Sequence, residues 1–251
     1  MKYSLEHLKT EVRNGKEFEF VFFWGHEGSK KIGTHCLSQW YESNFTVNNI
    51  LYKTAEHWMM YRKAMQFDDF ACANKILTSE TPKEAKGLGR KVRHCDYDVW
   101  YLPSYAIVVL GNIHKFNQHP DLLDYLLAQR NKILVEASPY DTKWGVGLSV
   151  KDKAIFNVEN WKGTNFLGFA LMEVIDFFSE FGTFEYLQNY LFRPCDYFKN
   201  YNVNSAFWMK RSTQEYQSEF EEYYEGLSKR DKVIFDICNP QKDSITPYNL
   251  T

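Results

Sequence analysis

The sequence predicts an α+β domain dominated by helices and carrying a small β-sheet. Three observations predict it. Residues 17–24, E-F-E-F-V-F-F-W, alternate strictly and then become continuously apolar, as a strand entering a core does. A second β-like run, K-I-L-V-E-A, follows much later at 132–137. Between and after them lie several stretches with helix-start residues and helical periodicity, and 44% apolar content over 251 residues is enough to bury a sizeable core.

Taken in order, residues 1–14 alternate charge and apolar character, as a short helix does. Residues 25–33 are a polar loop rich in Gly and Lys, followed by C-L-S-Q-W at 36–40. Residues 45–52 suit a short strand pair turning at Asn48-Asn49, because Asn tolerates a positive φ. Thr54 is an N-cap for a helix over 54–67, and a further helix is expected over 68–77. T-P-K-E at 81–84 places Thr as cap, Pro at the first helical position and Glu three residues after the cap, so a helix should run to about Val92. Residues 96–117 read as helical with a break or start near Pro103, and Pro120 opens another short helix. After 132–137 comes a Gly, Pro and Asp-rich loop at 138–149, and an amphipathic helix over 164–178 ends the main unit. The unit is bounded at 1–180. Residues 181–251 form an aromatic-rich, mainly helical extension, with helical pieces expected at 213–227 and 229–237 and an irregular tail from Asn239. The extension should pack on the first unit or on a partner.

Composition excludes several functions. Thirty basic residues against 32 acidic give a net charge of -2, so no global basic face is available to grip long nucleic acid. Five scattered cysteines contain no C-x-x-C pair, which argues against a zinc ribbon or redox motif and fits reduced thiols. The histidines show no H-x-x-x-H or H-E-x-x-H spacing, and no G-x-S-x-G elbow or P-loop occurs. Neither a metal nor another cofactor is expected. The charged N-terminus lacks an apolar signal run and no stretch reaches 18 apolar residues, so the expectation is a cytoplasmic chain without a membrane span. Aromatic content of 18% supplies rings for a bulky core and for a pocket that holds planar ligands.

Three constellations offer chemistry. Glu56 and Lys63, seven residues apart, point nearly the same way on one helix, about 10 Å apart along its axis. Lys63 reads either as an amine nucleophile in a partly apolar setting or as a surface lysine on an ordinary amphipathic helix. In S-P-Y-D-T-K-W-G-V-G at 138–147, Asp141 is either a functional carboxylate beside Trp144-Gly145 or the anchor of a tight turn. Lys83, Lys86, Arg90 and Arg93 share one helix face, which is a phosphate-facing stripe or a solvated one. Solvation is the favoured reading for Lys83 and Lys86.

The succession L-S-Q-W at 37–40, T-A-E-H-W at 54–58, R-K-A at 62–64, T-P-K-E-A-K-G-L-G-R at 81–90, K-F-N-Q-H-P-D-L at 115–122, L-V-E-A-S-P-Y-D-T-K-W-G-V-G at 134–147 and N-F-L-G-F-A-L-M-E at 165–173 resembles the NADAR, or YbiA-like, family of N-glycosidases. The resemblance runs over about 18–178. It implies a YbiA-like fold and cleavage of a bond between ribose C1 and the exocyclic amine of a flat heterocycle. The substrate is either guanine carrying ADP-ribose or a phosphoribosylamino-pyrimidine intermediate of riboflavin synthesis. It further implies Lys63 as a nucleophile passing through an imine, Glu56 as proton carrier, and Asp141 orienting sugar hydroxyls or water. Ser38, His57, Trp144, Gly145 and Asn165 would contribute to the pocket. Trp24 or Trp40 would stack on the base and Arg90 would contact phosphate. Glu56 and Asp141 as an acid and base pair are the alternative mechanism. A non-catalytic module binding ADP-ribose or NAD is the alternative function. The partner expected is a nucleotide-like small molecule or a modified guanine base.

The sequence also departs from the family pattern. Leu102, Pro103 and Ser104 stand where relatives carry a basic residue after the tryptophan matching Trp100. Val174, Ile175 and Asp176 follow the final L-M-E where a hydrophobic residue and Arg are common. Residues 181–251 have no counterpart in the pattern.

Overall fold

A computed structural model describes residues 2–27 and 31–183. From residue 184 onward, the expected extension lies outside the described residues. Helix α1, Leu5–Arg13, starts at Ser4, whose Oγ accepts from the His7 amide at 3.2 Å. Strand β1, Phe20–Phe23, is shorter than the apolar run that predicted it. A 3-10 helix at Thr34–Leu37 leads to β2, Phe45–Val47, and β3, Ile50–Tyr52. These two pair antiparallel across Asn48 and Asn49, both at positive φ (49° and 62°), as the sequence requires.

Four of the next five helices fall where capping chemistry puts them. Helix α2, Ala55–Gln66, is capped by Thr54, and α3, Phe70–Thr78, by Asp69, whose carboxylate accepts from the Cys72 amide. Helix α4, Pro82–Gly89, has the full reciprocal capping box between Thr81 and Glu84 and ends at Gly89, short of the expected Val92. Helix α5, Tyr97–Asn117, is capped by Asp96 and runs through Pro103 without interruption, against the expected break. Proline there removes the hydrogen bond to the Val99 carbonyl. Gln66 Nε2 of α2 lies 3.5 Å from that carbonyl and donates to it instead. Helix α6, Pro120–Leu127, has Pro at its first turn.

Strand β4, Ile133–Glu136, lies parallel to β1, with Phe20 opposite Ile133 and Phe23 opposite Glu136. The single small sheet expected is therefore two separate two-stranded ribbons, β1-β4 and β2-β3. Helix α7, Phe166–Phe181, follows, and α2, α5 and α7 together supply half of the buried apolar residues. Close approach is built into α5, where a Cβ on Gly111 would collide with the Trp58 indole, which donates to the Ile107 carbonyl at 2.7 Å.

The union of β4 with α7 depends on Asn165. It is fully buried, in the left-handed region at φ 56°, just ahead of α7. Its Oδ1 accepts from the Glu136 amide at 3.0 Å and its Nδ2 donates to the Leu134 carbonyl at 2.8 Å. The side chain thus pairs with the free edge of β4 as a third strand would. Gly168 allows this approach, since a Cβ there would collide with the Leu134 carbonyl oxygen. Asn165→Ala strands a buried donor and a buried acceptor, each costing about 1–3 kcal/mol. Urea denaturation should show a loss of about 2–5 kcal/mol, and an unchanged midpoint would refute the clamp.

Candidate active site

Three segments meet here: the loop after the first 3-10 helix, the buried face of α2, and the loop that follows β4. Both Glu56 and Lys63 are buried, at 5% and 4% exposure, which removes the surface-lysine reading of Lys63. The Lys63 ammonium lies over the Tyr97 ring at 4.6 Å from its centroid and over Trp100 at 5.9 Å. Among the described residues no carboxylate pairs with it. Aromatic faces attract a cation without supplying a counter-charge.

Glu56 is held from two sides. Its amide donates to the Gln39 carbonyl at 3.0 Å, and its carboxylate accepts from the Trp40 indole. Burial pushes its carboxyl up, with Asp141 adding to the rise. Lys86, the Trp40 bond and Arg90 oppose it. Lys86 is therefore not a solvated stripe residue as expected. It is half-buried, its ammonium 5.9 Å from the Trp40 ring centroid, whereas Lys83 is exposed. Arg90 is exposed at the C-terminus of α4, and Arg93 is committed to Asp69 at 2.9 Å.

The segment bearing Trp40 is pinned by α5. Lys115 is fully buried and donates to the Cys36 carbonyl at 2.7 Å and to the Ser38 carbonyl at 3.1 Å. Gln39 Nε2 donates to Asn112 Oδ1 at 3.1 Å, and Ser38 Oγ accepts from the Trp40 amide at 3.1 Å. Ser38 is thus a buried turn residue beneath Trp40.

In the loop after β4, Asp141 Oδ1 accepts from the Lys143 amide at 3.0 Å and the Trp144 amide at 2.7 Å. The tight-turn reading of Asp141 is therefore met, and its charge still bears on Glu56, Glu136 and Lys143. Trp144 packs edge-on against Phe166 at 6.0 Å. Gly145 lies against the Glu136 and Asp141 carbonyls, where a Cβ would come within 2.8 Å and 3.0 Å of their oxygens. Trp24 is 54% exposed and faces Tyr140 at 6.4 Å, at the outer edge.

Two expected pocket residues are used by the fold. Both ring nitrogens of His57 are engaged, Nδ1 with Thr54 Oγ1 at 2.8 Å and Nε2 with the Ser79 carbonyl at 3.3 Å. Asn165 spends its whole amide on β4. Glu173 of the L-M-E motif likewise accepts from Tyr105 Oη at 2.8 Å and from the Lys2 amide at 2.7 Å.

Sequence reasoning missed Lys143 and Glu136, although both lie inside motifs that it quoted. Lys143 Nζ donates to Ser104 Oγ at 3.0 Å and sits 4.2 Å from the Tyr101 ring centroid. Burial lowers its ammonium to about 8, Lys63 pushing the same way and Asp141 opposing. The two charges therefore bear on one another. No group of His, Cys, Asp and Glu among the described residues could hold a metal ion.

The fold and these groups define a helix-dominated α+β domain with buried and half-buried carboxyls and amines set among aromatic rings. The chain belongs to the NADAR domain family, whose profile covers residues 22–178. N-glycosidase R617 of Acanthamoeba polyphaga mimivirus is 38% identical over 161 residues, which is 62% of this chain and 94% of that protein. Protein irg-1 of Caenorhabditis elegans is 30% identical, covering 67% and 84% respectively. The solution structure of Escherichia coli YbiA superposes with a TM-score of 0.52 at 24% identity, over 65% of this chain and 87% of that one, and shares the fold. No described helix is long and apolar enough to cross a membrane.

Burial lowers Lys115 from 10.5 to about 8. Between those values the unfolded chain holds the extra proton, so raising pH through this window favours the folded state. Native stability should rise relative to Lys115→Met, by up to about 1.4 kcal/mol per pH unit, in urea melts at pH 8 and pH 10. A pH-independent difference would refute the burial cost.

Proposed function

We propose that the chain is an N-glycosidase that hydrolyses the bond between ribose C1 and the exocyclic amine of a nucleobase-like heterocycle. The observation that carries this reading is the buried Lys63 amine over Tyr97 and Trp100, within electrostatic reach of Lys143 in the loop of Asp141 and on the same helix as Glu56. The name of the mimiviral relative supports the reaction class.

Such a substrate can open its sugar ring. Glu56, whose burial favours the protonated form, gives a proton to the ring oxygen as that C–O bond breaks and C1 becomes an imine carbon. The Lys63 amine adds to C1. The exocyclic nitrogen takes a proton and leaves with its bonding pair, C1 remains joined to Lys63 as an imine, and water then hydrolyses that imine. Asp141 orients the sugar hydroxyls or the water. The Trp40 bond keeps Glu56 in register, while Trp24 and Trp40 offer faces to the base. The net charge of -2 favours a small nucleotide or a single exposed base over a long duplex. ADP-ribosylated guanine and a phosphoribosylamino-pyrimidine both fit this description.

One observation favours a second reading. Lys143 is the amine whose proton is loosened by burial, so it competes with Lys63 for the nucleophilic role. Borohydride added during turnover of ADP-ribosylated guanine nucleotide or the riboflavin intermediate, followed by peptide mapping, separates the two. A sugar adduct on Lys63 that vanishes in Lys63→Ala, with turnover down at least about 100-fold, is expected. An adduct on Lys143 moves the role there. Full turnover by both single alanine variants without any adduct leaves the Glu56 and Asp141 acid-base route, and binding without turnover makes the chain an ADP-ribose-binding module.

A further inference from the structure

Glu136 is the last residue of β4, and both its backbone groups are fixed. Its amide donates to Asn165 Oδ1 at 3.0 Å, and its carbonyl accepts from the Val146 amide at 3.0 Å. Its side chain therefore leaves the strand in a set direction, alongside Gly145, where an added Cβ would lie 3.1 Å from Glu136 Cγ. Any other residue at 145 would displace it. Glu136 Oε2 is sealed from solvent and meets no hydrogen-bond partner among the described residues. Glu136 as a whole is half-buried, and charge on the sealed oxygen would lack both water and a donor, which disfavours a carboxylate relative to a neutral carboxyl there.

The charged groups around it are those around Glu56. Asp141 and Lys86 bear on both carboxyls. Adjacent β1 residues, Phe20 to Phe23, bring no titratable group, and neither does the start of α7 from Asn165 to Phe169. The two carboxyls differ in one respect. Glu56 receives the Trp40 indole hydrogen, which favours its ionised form, whereas Glu136 Oε2 meets no donor among the described residues. Burial, reinforced by Asp141 against Lys86, raises Glu136 to about 8. Two carboxyls whose surroundings differ in this way divide acid and base work between them.

From this geometry we infer that Glu136 is a further catalytic residue, the acid that protonates the departing exocyclic nitrogen. The inference rests on the N-glycosidase reading. As the C1–N bond breaks, its electron pair stays on nitrogen and the Glu136 O–H bond supplies the proton, leaving a carboxylate. The water that then attacks C1 returns a proton to that carboxylate, so the group ends each cycle as it began. Glu56 acts at the ring oxygen, with the Trp40 bond stabilising the carboxylate left after its proton has gone.

The test uses the full chain and its Glu136→Gln variant with ADP-ribosylated guanine nucleotide and the phosphoribosylamino-pyrimidine as substrates, assayed from pH 5 to 9.5. Expected is a fall in kcat of about 100-fold to 10,000-fold with KM within a few-fold, and loss of the native decline in kcat above about pH 8. A merely structural role would not remove that alkaline limb. Turnover by the variant within three-fold of native, with the limb intact, overturns the inference and leaves the N-glycosidase reading standing. Absence of native turnover on both substrates removes the reading and the inference together. Should the variant fail to fold, carboxyl-carbon NMR of the native protein decides. A Glu136 signal still protonated at pH 7 supports the assignment, and one ionised at pH 6 overturns it.

Discussion

Asn165 is the constraint on which the polar half of this domain depends. Its left-handed backbone ends the loop after β4, and its amide covers the open edge of that strand from the side of α7. One residue therefore sets where Leu134 and Glu136 lie, and through Val146 bonding back to Glu136 it sets the return of the loop. Asp141, Lys143, Trp144 and Gly145 all hang between those fixed points. A two-stranded ribbon alone would be a weak platform. The side-chain amide gives it the hydrogen bonds of a neighbour without requiring another strand.

A second economy lies on the opposite side. Lys115 spends its ammonium on two carbonyls inside the protein, an arrangement that would be costly for an isolated charge. What it secures is the end of the first 3-10 helix and the stretch from Ser38 to Trp40, which has neither helix nor strand of its own to hold Trp40 against Glu56. Irregular backbone must have its polar groups met somewhere, and here α5 meets them through Lys115 and Gln39 through Asn112. One polar path thus crosses the interior of the domain, from α5 through the loop to Glu56.

Capping chemistry made most of the helices legible, since Ser, Thr, Asp and Pro act on their own neighbours. Asn48-Asn49 announced its turn for the same reason. Pro103 misled because its lost bond is compensated by Gln66, a residue on another helix that no local pattern can show. The single sheet was expected because strand runs reveal no partners. Site residues divide similarly. Glu56, Lys63 and Asp141 stood out by spacing or family motif, while the burial of Lys63 and the turn of Lys86 toward Trp40 are matters of packing. Glu136 escaped notice because it ended an apolar strand and read as its polar edge. His57 and Asn165 were drawn toward the pocket by their motifs, but their polar atoms are consumed in building it.

The parallel pairing of β1 with β4 has a consequence for synthesis. Phe20 cannot find Ile133 until nearly all of the domain has left the ribosome, and Asn165 must follow before the ribbon is locked. Loop closure over such a span is slow to begin and gains little until it is complete. A nascent chain can therefore form α1 to α6 early while its amines and carboxyls remain unassembled. Chemical competence arrives late and as a single event, so a truncated product would be inert rather than partly active.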